Sequence, residues 1–276
     1  MNSPAASEAS HASELVSAPE KVGTLSAKWA VGRASLAAIL LVCGALALVP
    51  AYLWFPLLRP AEELMVPTPP PEIALAREAA LSRCRLLNSL MIISLFTATA
   101  GGGLAFIAAR ARSGQTGIAG RGVAGAAAAV GLAALGVIAG HAIMDYLKVD
   151  PTVTMYRTMG AQGVLMALLG TGLGLAMGLG VRVKGSVAAF AGKGAIAGLL
   201  ATILYLLLTG IVLADSQSDY LIPGGVLAGG KDLPILITWL AAPIICLTIL
   251  LPMAYRDLKT SDTTEATAAG SSPAVD

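Results

Sequence analysis

Charge is what this sequence has least of. Only 12% of its 276 residues are Asp, Glu, Lys or Arg, against about 25% in a soluble globular chain. The formal net charge of +2 is too small for an electrostatic footprint on nucleic acid, so no nucleic-acid partner is expected. Cysteine is nearly absent as well. Cys43, Cys84 and Cys246 are odd in number and lack paired spacing, which excludes a disulfide framework and a cysteine metal motif. They read as small apolar packing residues. Histidine occurs twice, as His11 and His141. One histidine among scattered carboxylates is neither a zinc nor a haem signature, so no metal and no cofactor are expected.

Catalytic motifs are missing too. The chain has no GxSxG nucleophile elbow and no HExxH. Gly170-x-Gly172 lies inside an apolar run with no preceding strand, which removes it as a dinucleotide loop. AFAGKGA (189–195) lacks the first glycine of a phosphate loop and its Ser/Thr, and reads as an inter-helix loop with an anchoring lysine. Catalysis needs polar groups that converge. None is legible, so an enzyme is the poorest fit and no catalytic residue is assigned.

What the sequence does hold is apolar residues, 56% of the total, gathered in runs. Six runs lie at about 35–55, 87–109, 123–144, 159–181, 195–214 and 233–255. Each is close to the roughly 20 residues of helix that cross a bilayer core of about 30 Å. The fold class expected is therefore all-α, a polytopic membrane protein with a bundle of about six transmembrane helices over 28–259. The lipid bilayer is its first partner. Residues 1–27 and 260–276 are Ser/Ala/Thr/Glu-rich and read as disordered cytoplasmic tails. The first run is longer than the 7–15 residues of a signal h-region, and an acidic tail precedes it. It reads as a retained helix.

The charges between the runs suggest an orientation. Eleven of the 18 basic residues fall before run one, between runs two and three, between four and five, or after run six. The alternate loops carry nine of the 16 acids. A basic excess in short loops marks the cytoplasmic side, which puts both termini inside. Arg83 and Arg85, in the first outer loop, are discordant. Trp29, Trp54, Tyr146, Tyr220 and Tyr255 stand near run ends, as an interfacial aromatic belt does. The setting is a multi-pass membrane protein, in the plasma membrane or, in a bacterium, the inner membrane.

PTPPPE (67–72) places prolines where they suit a helix start, so the second helix is expected from near Glu72 to about Arg112. Asp232-Leu233-Pro234 caps the last helix, and Pro243 should kink it. A possible parallel hairpin repeat relates runs three and five. AGRG (119–122) matches AGKG (191–194), and Asp145-Tyr146-Leu147 matches Asp219-Tyr220-Leu221. Chance similarity between Ala/Gly-rich segments is the competing account. Under the repeat, His141 and Asp145 correspond to Asp215 and Asp219. Residues i and i+4 share a helix face, so each hairpin would carry a polar pair at its outer end.

Those four residues are the candidate ion, proton or solute site. Ionisable groups inside a membrane cost roughly 2.5–3.5 kcal/mol at a helix centre and persist where they face a cavity or a partner. The competing reading is solvated helix ends for the three aspartates and a hydrogen-bonded structural histidine. Gly170, Gly174 and Gly178, with Gly136 and Gly140, have the small-residue spacing of close helix packing. Asn88, Arg157 and Gln162 are single polar groups near helix starts that read as bridging helices or snorkelling. Two functions stay open. One is a small transporter or channel-like protein with proton- or cation-linked polar pairs at its outer face. The other is a non-catalytic scaffold or subunit, joined to other membrane subunits or to copies of itself.

Overall fold

The structure is a computed structural model that describes residues 36, 38–49, 52, 58, 61, 70–110, 117–146, 154–181, 185–212, 226–227, 230–231 and 233–270. Six α-helices make up almost all of it: α1 (Ala38–Val49), α2 (Pro71–Arg110), α3 (Ile118–Tyr146), α4 (Thr154–Val181), α5 (Ser186–Val212) and α6 (Leu233–Gly270). A minimal antiparallel hairpin, β1 (Val226–Leu227) with β2 (Gly230–Lys231), pairs Val226 with Lys231 ahead of α6. Helices α2 to α6 are each long and apolar enough to cross a membrane, whereas α1 is a shorter apolar helix.

Local chemistry explains the helix ends. Pro71 opens α2 where no amide partner is required, Glu72 sits in its first turn and Arg110 in its last, as the helix dipole favours. Gly117 and Gly185 each stand just before a helix with φ of +79°, a left-handed conformation natural to glycine. Their carbonyls accept from the amides of Arg121 and Ala189 at 3.3 and 3.1 Å. At about 1.5 Å per residue, the 40 residues of α2 reach roughly twice the thickness of a bilayer core. A helix of this length would extend past the apolar layer of a bilayer.

Two boundaries differ from the sequence reading. AFAGKGA, expected as a loop, lies inside α5, because the turn at Gly185 starts the helix at Ser186. Its glycine Gly194 then meets α4. At the other end α6 continues to Gly270, into residues that composition reads as a tail. Extending an existing helix costs far less than nucleating one. The chain of α6 also remains helical through both Pro243 and Pro252. The tail at 1–27 and residues 271–276 lie outside the described residues.

Glycine sets how the helices pack. A Cβ built on Gly170 would fall on the carbonyl oxygen of Gly194, and one on Gly174 would fall on that of Phe190. Gly178 lies against the backbone of Val187, and Gly198 against that of Met166. Helices α4 and α5 thus touch backbone to backbone, antiparallel, along three turns. Gly101 and Gly125 do the same for α2 and α3, and Gly136 rests on the backbone of Leu165 between α3 and α4. Gly140 is buried on α3. Close approach of this kind substitutes for the hydrophobic force that lipid does not supply between helices.

Helix α4 is the most buried of the five long helices. Its Leu165, Leu169 and Leu173 join Phe96, Phe190, Tyr205 and Trp239 in the interior. Large apolar side chains also point outward, among them Leu199, Ile203, Leu207 and Ile211 on α5. A soluble monomer rarely exposes such a continuous apolar stripe. Threonine hydroxyls on these helices return to their own backbone: Thr97, Thr171, Thr202 and Thr238 each donate to the carbonyl four residues earlier. In an apolar medium this leaves no hydroxyl proton unsatisfied.

Candidate functional site

Buried polar side chains concentrate where α3 and α5 end and α4 and α6 begin. Asn88 and Ser89 come from α2, His141 from α3, Thr158 and Gln162 from α4, Thr202 and Thr209 from α5, and Thr238 from α6. At the opposite end Ser186 is buried and donates to the carbonyl of Gly178 at 3.2 Å. Each of these helices holds a long apolar stretch, so helical spacing alone does not mark this end. It becomes visible once the five helices are set side by side.

Two rungs join α2 to α3. His141 Nε2 and Ser89 Oγ are 3.3 Å apart, and His141 is only 3% exposed. The tautomer of the ring decides which of the two donates. One turn further along α3, Asp145 Oδ2 accepts from Ser82 Oγ at 3.1 Å at an exposed position. Ser82 and Ser89 are seven residues apart, two helical turns, and so share the face of α2 turned to α3. The charged groups whose fields reach His141 are Asp145, one turn along its own helix, and Arg85 on α2.

Above these rungs lies an open cleft of about 430 Å³. Leu75, Glu78, Ala79, Ser82, Arg83 and Leu86 line it from α2, and His141 and Asp145 from α3. It exists because α2 starts so early, at Pro71, and so provides a wall beyond the last turns of α3. His141 and Asp145 therefore come together on one cavity. Asp215 and Asp219, their proposed counterparts, lie outside the described residues.

A second polar group is enclosed deeper in the bundle. Trp239 of α6 donates its indole N–H to Gln162 Oε1 of α4 at 3.2 Å. The Thr202 hydroxyl of α5, which donates to the carbonyl of Gly198, also lies 3.4 Å from the backbone carbonyl of Gln162 and can share its proton between the two. Three helices thus meet at one glutamine, the residue read from the sequence as a bridge. Asn88 clasps the α1–α2 connection: its Oδ1 accepts from the amide of Leu58 at 2.9 Å, and its Nδ2 donates to the carbonyl of Leu58 at 3.2 Å. Among the described residues no three His, Cys, Asp or Glu side chains are placed to hold a metal ion.

The sequence reading missed Glu78, Ser82, Arg83, Ser89 and Trp239. A signal existed for the serines, since their spacing of seven puts both on one face. Trp239 carried one too, because a buried indole is a donor that needs an acceptor. The chain matches no known protein family, no curated protein and no solved structure. Its apolar helices are consistent with an integral membrane protein, with five candidates to span the bilayer.

Proposed function

We propose that the protein is a small multi-pass transporter or channel-like protein whose vestibule is the cleft at His141 and Asp145, handling a proton or cation there. In this reading both termini are cytoplasmic, the cleft opens on the outer face, and Asp215 and Asp219 form the related pair. The observation that carries it is a cleft that brings the ionisable pair His141 and Asp145 together at an end of the bundle where each of α2 to α6 buries at least one polar side chain. Polar groups within membrane segments are costly, and the usual reason to keep them is a pathway or a binding site. The scaffold reading finds less support. The glycine face of α4 that a partner would need is closed by α5 of the same chain.

The test follows unfolding temperature in detergent between about pH 5 and 8, where histidine titrates, and across monovalent and divalent cations. A ligand bound only by the folded state stabilises it by about 2.7 kcal/mol at a hundredfold excess over Kd. A pH- or ion-specific shift that is lost in Asp145→Asn and in His141→Gln is the expected result. The same variants should lose proton or cation flux into vesicles carrying a pH-sensitive dye. An identical response in wild type and both variants would overturn the proposal.

A further inference from the structure

The cleft is lined by side chains of both signs. Glu78 and Asp145 contribute carboxylates, Arg83 a guanidinium, and Leu75, Ala79 and Leu86 an apolar wall. Glu78 lies one turn before Ser82, on the same face of α2 as the hydroxyl that holds Asp145. That side of the cleft carries two carboxylates, with Arg85 one turn beyond Ser82 on α2. Arg83 is the next residue round the helix, so its charge approaches from a neighbouring direction. Among the described residues, no hydrogen bond or ion pair joins Glu78 to Arg83. The two charges face the same space without neutralising one another.

We infer that this cleft binds a small zwitterionic solute of amino-acid size, its ammonium between Glu78 and Asp145 and its carboxylate on Arg83. The inference rests on the vestibule proposed above and gives it a substrate class. Exclusion carries as much of the argument as attraction. A simple anion would meet two carboxylates, an organic cation would leave the guanidinium without a counter-charge, and a neutral solute would desolvate all three without return. The proton or small cation of the reading above is then the coupling ion, not the solute. A zwitterion satisfies both signs. An ammonium offers three donors to carboxylate oxygens, and a guanidinium takes a carboxylate through two parallel N–H bonds. The volume of about 430 Å³ falls within the roughly 300–1,000 Å³ of small-molecule sites. The wall of Leu75, Ala79 and Leu86 suits an aliphatic side chain. His141, beneath the two carboxylates, places a second titratable group one turn below the ammonium.

The experiment measures binding of radiolabelled L-leucine and L-alanine to the purified full chain in detergent. Competing probes are leucinamide, which lacks the carboxylate, and 4-methylpentanoate, which lacks the ammonium. Charge-assisted hydrogen bonds of this kind correspond to about tenfold or more in affinity each. Leucine should therefore bind at least tenfold tighter than either analogue. Glu78→Gln should remove the advantage of leucine over 4-methylpentanoate, and Arg83→Gln its advantage over leucinamide. Both positions are exposed, so neither variant should unfold the protein, and an unchanged melting profile will verify this. Equal affinity for leucine and leucinamide would overturn the inference in favour of a simple cation. No binding of either amino acid, with the Asp145-dependent pH or ion response intact, would overturn the inference and leave the vestibule standing. Loss of both would overturn the two together.

Discussion

Trp239 and Gln162 form a hydrogen bond of 3.2 Å between α6 and α4, and both side chains are fully buried. An indole N–H can only donate, and a buried donor left without an acceptor costs about 1–3 kcal/mol. Gln162→Leu should therefore destabilise the protein by roughly that amount. With Trp239→Phe added, the loss should fall short of the sum of the two single losses, since the stranded donor goes with the indole. Chemical unfolding of the two single variants and the double variant in detergent gives the coupling directly. Additive effects would mean that the bond contributes nothing to stability.

The glycines divide by what surrounds them. A Cβ on Gly174 falls on the carbonyl of Phe190, whereas one on Gly131 meets nothing within 4 Å. Gly174→Ala must push α4 and α5 apart, at a cost of about 1–3 kcal/mol or more. Gly131→Ala should stabilise its helix by about 0.5–1 kcal/mol. Opposite signs in thermal unfolding are the expected outcome, and equal behaviour would contradict the backbone contact.

The two serine rungs should differ in strength. Ser89 is buried beside His141, and Ser82 meets Asp145 at an exposed position. Ser89→Ala should cost about 0.5–1.5 kcal/mol, whereas water replaces the bond lost in Ser82→Ala at almost no cost. Denaturation midpoints of the two variants measure the contrast.

Thiol labelling reports on packing. Cys43 and Cys246 are buried and Cys84 is partly exposed. In native detergent-solubilised protein a maleimide should modify Cys84 first. Cys43 and Cys246 should react only on unfolding, as mass spectrometry of the labelled peptides will show. Early modification of Cys43 would mean that α1 leaves the bundle readily.

The membrane character and nearly all the helices could be read from the chain because length and apolarity are local quantities. Proline at 71 marked the start of α2 to within a residue of the Glu72 expected. The turn at Gly185 was not legible, because a glycine followed by small residues in a helix resembles a glycine-rich loop. The pairing of His141 and Asp145 on one face was visible as a spacing of four. Their partners Ser89 and Ser82 lie 52 and 63 residues away along the chain, where no local pattern points to them.

What the sequence by itself indicated is a bilayer setting, since runs of about 20 apolar residues match the length of helix that crosses one. Which side of each helix packs against its neighbours and which is left exposed was decided only by the tertiary structure. Lipid and protein interior are equally apolar, so neither face is marked by composition. The glycine contacts between α4 and α5, the glutamine shared by three helices and the two-signed cleft at Asp145 all depend on that choice.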